Sequence, residues 1–249
     1  MSAQGFTVQG QEYFNWSMAI TGRRPQLAPI LIGAHYDTVP GSPGADDNAS
    51  GLAVLLVLAE LLSQTQPRRS VHLVAFDLEE YGLVGSTACA RAWKAQGRSL
   101  HLMLSLEMLG YFSQAARSQK YPLPVLSRLY PDTGNFIALI GNAATLPKMM
   151  SLKRHLKKAG APCQWLPVVD KGNQLPATRR SDHAPFWDEG YSALLVTDTA
   201  DLRNPHYHKD SDRIETLDIA MMAAIAIGLT NYLTSVSRRS AVAFSVPTL

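Results

Sequence analysis

Metal-binding side chains follow several apolar segments of this sequence, at the points where predicted strands end. Ligands bind open α/β sheets beyond the carboxyl ends of the strands, so we expect these side chains to share one cleft. The residues are His35, Asp47, Glu79, Glu80, Glu107 and one of the two histidines His206 and His208. Spacing alone does not choose between the two histidines. The shared placement is more informative than any single motif.

Histidine and carboxylate ligands together suit a borderline metal such as zinc. A purely oxygen ligand set would instead favour magnesium or calcium. So many carboxylates cannot share a cleft without cations, because like charges repel and buried ions are costly. Two dications would neutralise them, and a metal pair about 3.5–4 Å apart holds a bridging hydroxide suited to hydrolysis. The sequence therefore predicts two Zn2+ ions and hydrolytic chemistry.

Each of these signals has an ordinary structural explanation when it is taken alone. The segment HYD at His35 can be a core histidine paired with a neighbouring acid, and an adjacent glutamate pair is usually solvated. The segment GADDNASG is also typical of an Asx-rich turn before a helix. Glu107 is harder to explain, because a carboxylate between Leu106 and Met108 in an apolar strand is rare without a partner. The joint occurrence of these signals favours a site.

Short apolar segments alternate with helical patterns along the chain, and this alternation predicts an α/β fold. Strands are predicted over 27–34, 70–77, 100–107, 135–141 and 191–198, and helices over 50–62, 85–95, 146–159 and 216–234. The predicted fold class is a mostly parallel or mixed central sheet with helices on both faces. We expect a single domain over residues 1–249, with a loop insertion near 111–134 that shapes the pocket.

Composition argues against several classes of protein. The 249 residues are 46% hydrophobic and carry a formal net charge of +3. The basic pairs at 68–69 and 238–239 are isolated, so no nucleic-acid partner is expected. No apolar run reaches membrane-spanning length and no signal peptide is visible, so we expect no membrane partner and a cytoplasmic location, unless a leader is missing. Cys89 and Cys163 are expected to be reduced packing residues, and the oligomeric state stays open.

Five motifs, in this order, resemble one known family. They are HYDTVPGSPGADDNASG, DLEEYGLVGS, LEMLGY, SDHAPFWDEGY and NPHYHKDSD, and the match covers most of the chain. The sequence resembles the co-catalytic di-zinc aminopeptidases of metallopeptidase clan MH. The resemblance implies a zinc-exopeptidase fold, which is a three-layer α/β sandwich. It also implies hydrolysis of N-terminal residues from peptide substrates with a free N-terminus, through a metal-bridging hydroxide.

The resemblance implies a role for each matching residue. Glu79 would be the general base, which takes a proton from water and passes it to the leaving amine. Asp47 would bridge the two metals. The other metal ligands would be His35, Glu80, Glu107 and His208.

The same resemblance implies several supporting features. The family's Tyr-His pattern selects His208 over His206 as the last ligand. Asp37 would orient His35, as metal-bound histidines usually require, and Ser181 would orient His208. A cis peptide bond between Asp47 and its successor Asn48 is also implied.

The chain departs from the family pattern at two positions. Many relatives have Asp where this chain has Glu107, and either carboxylate can bind zinc. Lys209 stands where a small polar residue is common. A cation at that position would tune substrate choice or weaken the second metal site.

Three alternative functions share this fold. A glutaminyl cyclase uses a single zinc ion, but those enzymes typically lack a glutamate pair such as Glu79 and Glu80. A carboxypeptidase of the same clan would need a group for the substrate carboxylate, for which Arg179, Arg180 and Arg203 are candidates. A non-catalytic binding protein would be expected to lack the base or a ligand, whereas every position is filled here.

Overall fold

The apolar segments of the chain assemble into one eight-stranded mixed sheet. The computed structural model describes residues 1–235, so the basic pair at 238–239 lies outside the described residues. The strands are β1 (Ser2–Val8), β2 (Gln11–Ile20), β3 (Ile30–His35), β4 (Val71–Phe76), β5 (Leu102–Glu107), β6 (Ile137–Asn142), β7 (Cys163–Val168) and β8 (Ala193–Thr197). The helices are α1 (Gly51–Thr65), α2 (Val84–Ala95), α3 (Leu126–Leu129), α4 (Leu146–Lys158), α5 (His183–Asp188) and α6 (Ile219–Ser235).

The strand order across the sheet is β1-β2-β4-β3-β5-β8-β6-β7. The central strands β4, β3, β5 and β8 are parallel neighbours, and β6 pairs in parallel with β7. The β1–β2, β2–β4 and β6–β8 pairs are antiparallel. The carboxyl ends of four adjacent strands therefore meet at one edge, as the sequence pattern requires for a shared cleft.

Helices cover both faces of the sheet, which confirms the predicted fold class. On one face, α1, α4 and α6 pack on alternate strand residues such as Ile30 and Ile32. On the other face, α2 and α5 pack on the intervening residues, of which Leu31 is one. All six residues of β3 are buried, because a central strand that is covered on both faces has no solvent-facing side.

The hairpin β1–β2 and the edge strand β7 were missed by the sequence pattern. In β1 and β2 most residues are exposed or half-buried, so polar residues dilute the alternation that marks a strand. Gln9 and Gly10 form the two-residue turn with φ values of 51° and 84°, which suits the twist of a tight hairpin. The prediction of one domain over 1–249 stays a prediction.

One helical stretch of the described chain, Ala45–Thr65, is long and apolar enough to cross a membrane, with a mean hydropathy of 1.3. It consists of a turn, Ala45–Ser50, followed by α1. Its buried residues Leu58 and Leu62 pack in the core, and its first turn holds the buried carboxylates Asp46 and Asp47. These contacts are those of a core helix that begins at a polar site.

Candidate metal centre and active site

The carboxyl edge of the sheet gathers the predicted site residues. His35 is the last residue of β3, and Glu107 is the last residue of β5. The pair Glu79 and Glu80 follows the end of β4, and Asp47 lies in the turn before α1. The strands end level with one another, since His35 pairs with Phe76 and Glu107 pairs with Thr197 in the sheet register.

The first group of potential metal ligands consists of His35, Asp47 and Glu107. His35 Nε2 lies 3.3 Å from Asp47 Oδ1 and 3.5 Å from Glu107 Oε2. All three residues are buried. The donor set of one imidazole and two carboxylates is one that zinc accepts.

The second group consists of Asp47, Glu80 and His208. His208 Nε2 lies 3.0 Å from Asp47 Oδ2 and 3.2 Å from Glu80 Oε2. Asp47 therefore directs one carboxylate oxygen toward each group. This arrangement suits a carboxylate that bridges two cations.

Several buried polar atoms of the cluster have no hydrogen-bond partner among the described residues, and cations would supply the missing contacts. His35 Nε2, Asp47 Oδ2 and Glu80 Oε1 are buried and have no hydrogen-bond partner among the described residues. Such atoms are costly unless something binds them. All three residues belong to the two ligand groups, as expected for side chains that would bind an ion.

The charges of the cluster lead to the same conclusion. Burial lowers the pKa of His35, but Glu107, Asp37 and Asp47 outweigh this effect, so the pKa stays well above its ordinary value. Burial raises the pKa of Asp47, but His208 and His35 lower it to about 2. Positive charge therefore stabilises the ionised carboxylates. Protonated histidine supplies this charge when no metal is bound, and zinc would supply it when bound.

Asp37 connects the first histidine to the glutamate pair. His35 Nδ1 lies 3.0 Å from the backbone carbonyl of Asp37 and 3.4 Å from its carboxylate Oδ1. The two carboxylate oxygens accept hydrogen bonds from the backbone N–H groups of Glu79 (3.0 Å) and Glu80 (3.1 Å). Asp37 therefore positions both the base candidate and its neighbour, as well as His35.

Ser181 contacts a different ligand from the one the sequence predicted. Its hydroxyl donates to Glu107 Oε2 over 2.7 Å, and it lies 2.9 Å from the Ser105 hydroxyl. The expected contact with His208 is wrong, because α5 follows Ser181 and packs beneath β5, whereas His208 lies in the loop after β8. Ser181 instead orients Glu107.

Among the remaining histidines, His206 lies outside both ligand groups. Its Nδ1 is 3.0 Å from the Ser211 hydroxyl, and its ring packs edge-on against Tyr111. His183, which follows the motif Ser-Asp, is fully buried, and its Nε2 bonds to the backbone carbonyl of Thr178. The structure therefore brings His208 into the cluster, in agreement with the Tyr-His pattern.

A buried acidic network behind Asp47 was missed at the level of sequence. The carboxylate of Asp212 accepts hydrogen bonds from the backbone N–H groups of Asp46 (2.9 Å) and Asp47 (3.1 Å). Asp46 in turn accepts from the Asn204 amide and the Gly110 backbone N–H. Asp212 lies in the motif HKDSD. Its sequence position does not indicate that its side chain accepts hydrogen bonds from the turn at Asp46, which is 166 residues earlier.

Several backbone conformations at this edge are uncommon. Leu78, Met108 and His208 have φ values of 53°, 47° and 57°, in the left-handed region that is unfavourable for residues with a Cβ. Each is a site residue or the neighbour of one. The predicted cis peptide bond between Asp47 and Asn48 is present. Asn48 Oδ1 accepts from the Met108 backbone N–H over 2.9 Å, which ties the turn to the end of β5.

The metal-free protein is expected to be more stable near about pH 5 than near about pH 8. Burial is the main cause that raises the pKa of both Glu80 and Asp182 to about 7. A carboxyl with a raised folded-state pKa contributes stability below its unfolded pKa, and this contribution is lost as the pH rises through about 7.

Thermal unfolding of chelator-treated protein measures this effect. We expect the Tm to fall by at least about 3 °C over that range, and added zinc to remove most of the fall by neutralising the carboxylates. A Tm of metal-free protein that rose with pH would contradict the pKa directions stated for this cluster.

A family of peptidases shares the sequence pattern of this fold and of its carboxylate-rich edge. Peptidase family M28 matches residues 15–233, and the chain belongs to this family. The match includes every residue of the two ligand groups.

Relatives of known sequence extend the comparison. Uncharacterized protein YfbL of Escherichia coli (strain K12) is 39% identical over 246 residues, covering 94% of this chain and 74% of YfbL. Leucine aminopeptidase 1 of Trichophyton rubrum is 26% identical over 235 residues, covering 88% of this chain. The chain spans only 57% of that aminopeptidase.

Solved structures share the fold. BSAP, a zinc aminopeptidase from Bacillus subtilis, superimposes with a TM-score of 0.67 at 22% identity, over 94% of this chain and 52% of BSAP. Porphyromonas gingivalis glutaminyl cyclase superimposes with a TM-score of 0.68 at 19% identity, over 94% of this chain and 83% of the cyclase. At these identities the likeness supports the fold and does not choose between the two activities.

Proposed function

We propose that this chain is a zinc-dependent aminopeptidase that removes N-terminal residues from peptides. The observation that carries the proposal is the pair of three-residue ligand groups that share Asp47, with Glu79 beside them. Membership of peptidase family M28 supports peptide hydrolysis. The free N-terminal amine of the substrate would lie against the carboxylate-rich centre.

The chain's own residues would divide the chemistry as follows. His35, Asp47 and Glu107 would hold one zinc ion, and Asp47, Glu80 and His208 would hold the other. When bound, the two ions would supply Lewis acidity, which activates water and polarises the scissile carbonyl. Glu79 belongs to neither group and would carry the proton from water to the leaving amine.

The environment of Glu79 suits that role. The residue is buried, and burial, followed by the charge of Glu107, raises its pKa well above the ordinary value. A carboxylate with a raised pKa is a stronger base than an exposed one. Its backbone N–H bond to Asp37 holds it at the end of β4.

Tyr207 would provide a hydrogen-bond donor to the substrate. Its ring stacks on His208 with centroids 3.7 Å apart, and its hydroxyl accepts a hydrogen bond from Arg180 Nη2 over 3.1 Å. Because the hydroxyl already accepts from Arg180, its own hydrogen is free to donate to an oxygen that gains negative charge during the reaction. Asp201 holds Arg180 in place through a 2.8 Å ion pair.

The arginines offer little support for a carboxypeptidase. Arg179 pairs with Asp188 at 2.8 Å, and Arg180 pairs with Asp201. Arg203 is buried, and its guanidinium donates to Gln119. Each candidate for a substrate carboxylate is therefore engaged by another group of this chain.

A cavity beside the cluster would accept the side chain of the cleaved residue. It has a volume of about 80 Å³, and its lining includes Glu107, Tyr207 and Ile140. A neighbouring apolar cavity of about 70 Å³ shares Ile140 and Ala177 with the first. The segment 111–134 contributes part of the wall of this apolar cavity through Tyr121, Leu126 and Tyr130. Together these walls favour a large apolar side chain.

We therefore expect leucine and phenylalanine substrates to be cleaved with kcat/KM at least about tenfold above alanine substrates, because larger side chains bury more apolar area. Substitution Ala177→Trp would fill the shared wall and should reduce this preference by about tenfold. Substitution Ala115→Trp at an exposed position of segment 111–134 serves as the control. A preference that survived Ala177→Trp unchanged would place the substrate side chain elsewhere.

The experiment that tests the proposed function measures zinc content per chain and hydrolysis of aminoacyl-nitroanilides, before and after chelation. About two zinc ions per chain are expected, with activity that is lost on chelation and restored by zinc. Metal-loaded protein that released no nitroaniline from any aminoacyl substrate would refute the aminopeptidase proposal.

A glutaminyl cyclase is the second candidate, because the cyclase structure is covered over 83% of its length by this chain. A cyclase would hold one zinc ion and would convert a peptide with N-terminal glutamine without releasing an amino acid. The glutamate pair and the complete second ligand group favour the aminopeptidase. Parallel assays on a glutamine-nitroanilide and a glutaminyl peptide separate the two activities.

A further inference from the structure

A third cavity, which is polar, lies between the first strands of the sheet and α2. Its volume is about 300 Å³, at the lower end of the range for small-molecule sites, about 300–1,000 Å³. It lies on the α2 face of the sheet, and its lining includes His72 near the start of β4, whereas the metal ligands lie beyond the other end of that strand. No residue of the two ligand groups lines this cavity.

The cavity carries positive charge without a balancing acid. Among the described residues that line it, Arg98 is the only one with a permanent charge, and none is Asp or Glu. The Arg98 guanidinium lies flat on Trp93, 3.5 Å from the ring centroid. Within residues 1–235, Arg98 forms no ion pair with any carboxylate. A guanidinium beside a cavity, with no carboxylate partner among the described residues, can bind the carboxylate of a ligand.

A histidine stands next to this guanidinium. His72 Nε2 lies 3.5 Å from Arg98 Nη2, and the His72 ring meets Trp93 edge-on at 5.0 Å. Burial and the charge of Arg98 lower the pKa of His72. A lowered pKa favours the neutral ring, so the Arg98 guanidinium can donate to His72 Nε2 and the Nδ1–H group stays available to an anion.

The rest of the cavity offers neutral hydrogen-bonding groups. The Ser2 and Ser17 hydroxyls lie 2.8 Å apart, and the exposed Gln96 supplies an amide. The Ser17 hydroxyl also lies 3.4 Å from the Ser2 backbone carbonyl, so an anionic ligand would draw a hydroxyl hydrogen away from these contacts. These groups can bind a second anionic oxygen, but no group in the lining can neutralise an ammonium.

We propose that this cavity binds a small dicarboxylate that carries no amino group. One carboxylate lies against Arg98 and His72, where a planar, charge-assisted contact is strongest. The other lies along the serine hydroxyls and the Gln96 amide. This site is independent of the proposed peptidase activity, and its test does not depend on that activity.

Titration of the zinc-loaded protein with glutarate and with glutamate tests the proposal. The two probes carry the same carboxylates, and only glutamate adds an ammonium. Calorimetry should show saturable glutarate binding, with glutamate at least about tenfold weaker. The NMR signals of the His72 ring should shift on glutarate addition, which separates this site from any binding at the metals. Absence of saturable binding, or equal binding of both probes, would overturn the proposal.

Two variants make the test specific to this cavity. Arg98→Gln removes the charge, and Gln96→Glu places an acid in the lining that competes with the ligand for Arg98. Each should weaken glutarate binding at least about tenfold. Arg91→Gln changes an exposed arginine of α2 and should leave binding unchanged. The proposal would also be overturned if Gln96→Glu and Arg98→Gln bound glutarate with the same affinity as the parent protein.

Discussion

Substitution Glu79→Gln is expected to lower kcat for aminoacyl-nitroanilide hydrolysis by about 10³-fold and to leave zinc content unchanged. Glutamine has the shape of glutamate but cannot accept the proton from water at neutral pH. Glu79 belongs to neither three-residue ligand group, so its loss should spare both metal sites. The backbone N–H bond from residue 79 to Asp37 does not depend on the side chain, so the local structure should persist.

The measurement pairs kcat and KM with zinc content by atomic emission. Glu60→Gln, at an exposed position of α1, makes the same chemical change away from the site and should retain full activity. Full turnover of Glu79→Gln would remove Glu79 from the mechanism. Loss of zinc together with activity would show instead that Glu79 is a metal ligand.

Substitution Asp47→Asn is expected to abolish activity and to lower zinc content from about two ions per chain to one or fewer. Asp47 is the one residue common to both ligand groups, with Oδ1 directed to His35 and Oδ2 to His208. An amide offers one acceptor oxygen and no charge, so it cannot bridge two dications. Activity should fall by at least about 10³-fold, because both halves of the metal pair depend on this side chain.

Zinc stoichiometry and thermal unfolding in the presence of zinc test this expectation. Asp210→Asn, at an exposed acid of the motif HKDSD, is the control and should bind zinc as the parent does. The backbone N–H of residue 47 still bonds to Asp212 in the variant, so a folded protein is expected. Two tightly bound zinc ions in Asp47→Asn would refute the bridging role.

The pattern of apolar and polar residues in the sequence was enough to predict most of the fold. The alternation of apolar segments and helical patterns predicts the α/β class. The buried strands β5 and β8 lie within predicted segments, and β3 overlaps its predicted segment and extends one residue beyond it, to His35. These strands are easy to recognise because both of their faces are covered, which makes their sequences almost continuously apolar. The hairpin β1–β2 was missed for the opposite reason, since its residues are largely exposed.

In the candidate site, too, some features could be predicted from the sequence and others could not. Residue types at strand ends predicted His35 and Glu107 as neighbours, because parallel strands bring their carboxyl ends to one edge. The partner of Ser181 could not be predicted in this way. Residues 107 and 181 meet only because β5 and α5 pack against each other, and such contacts depend on helix placement and rotation.

By itself, the sequence determined the chemistry that this protein can support: imidazoles and carboxylates at the ends of apolar strands, in an order that resembles the di-zinc aminopeptidases. Only the tertiary structure decided how those groups meet. It brought His208 rather than His206 to Asp47 and placed Asp212 behind the turn that carries Asp47. It also placed Arg98 in a polar cavity whose described lining holds no Asp or Glu. The physical reason is that ligand types are local properties of the chain, whereas distances between loops depend on the packing of the whole sheet and its helices.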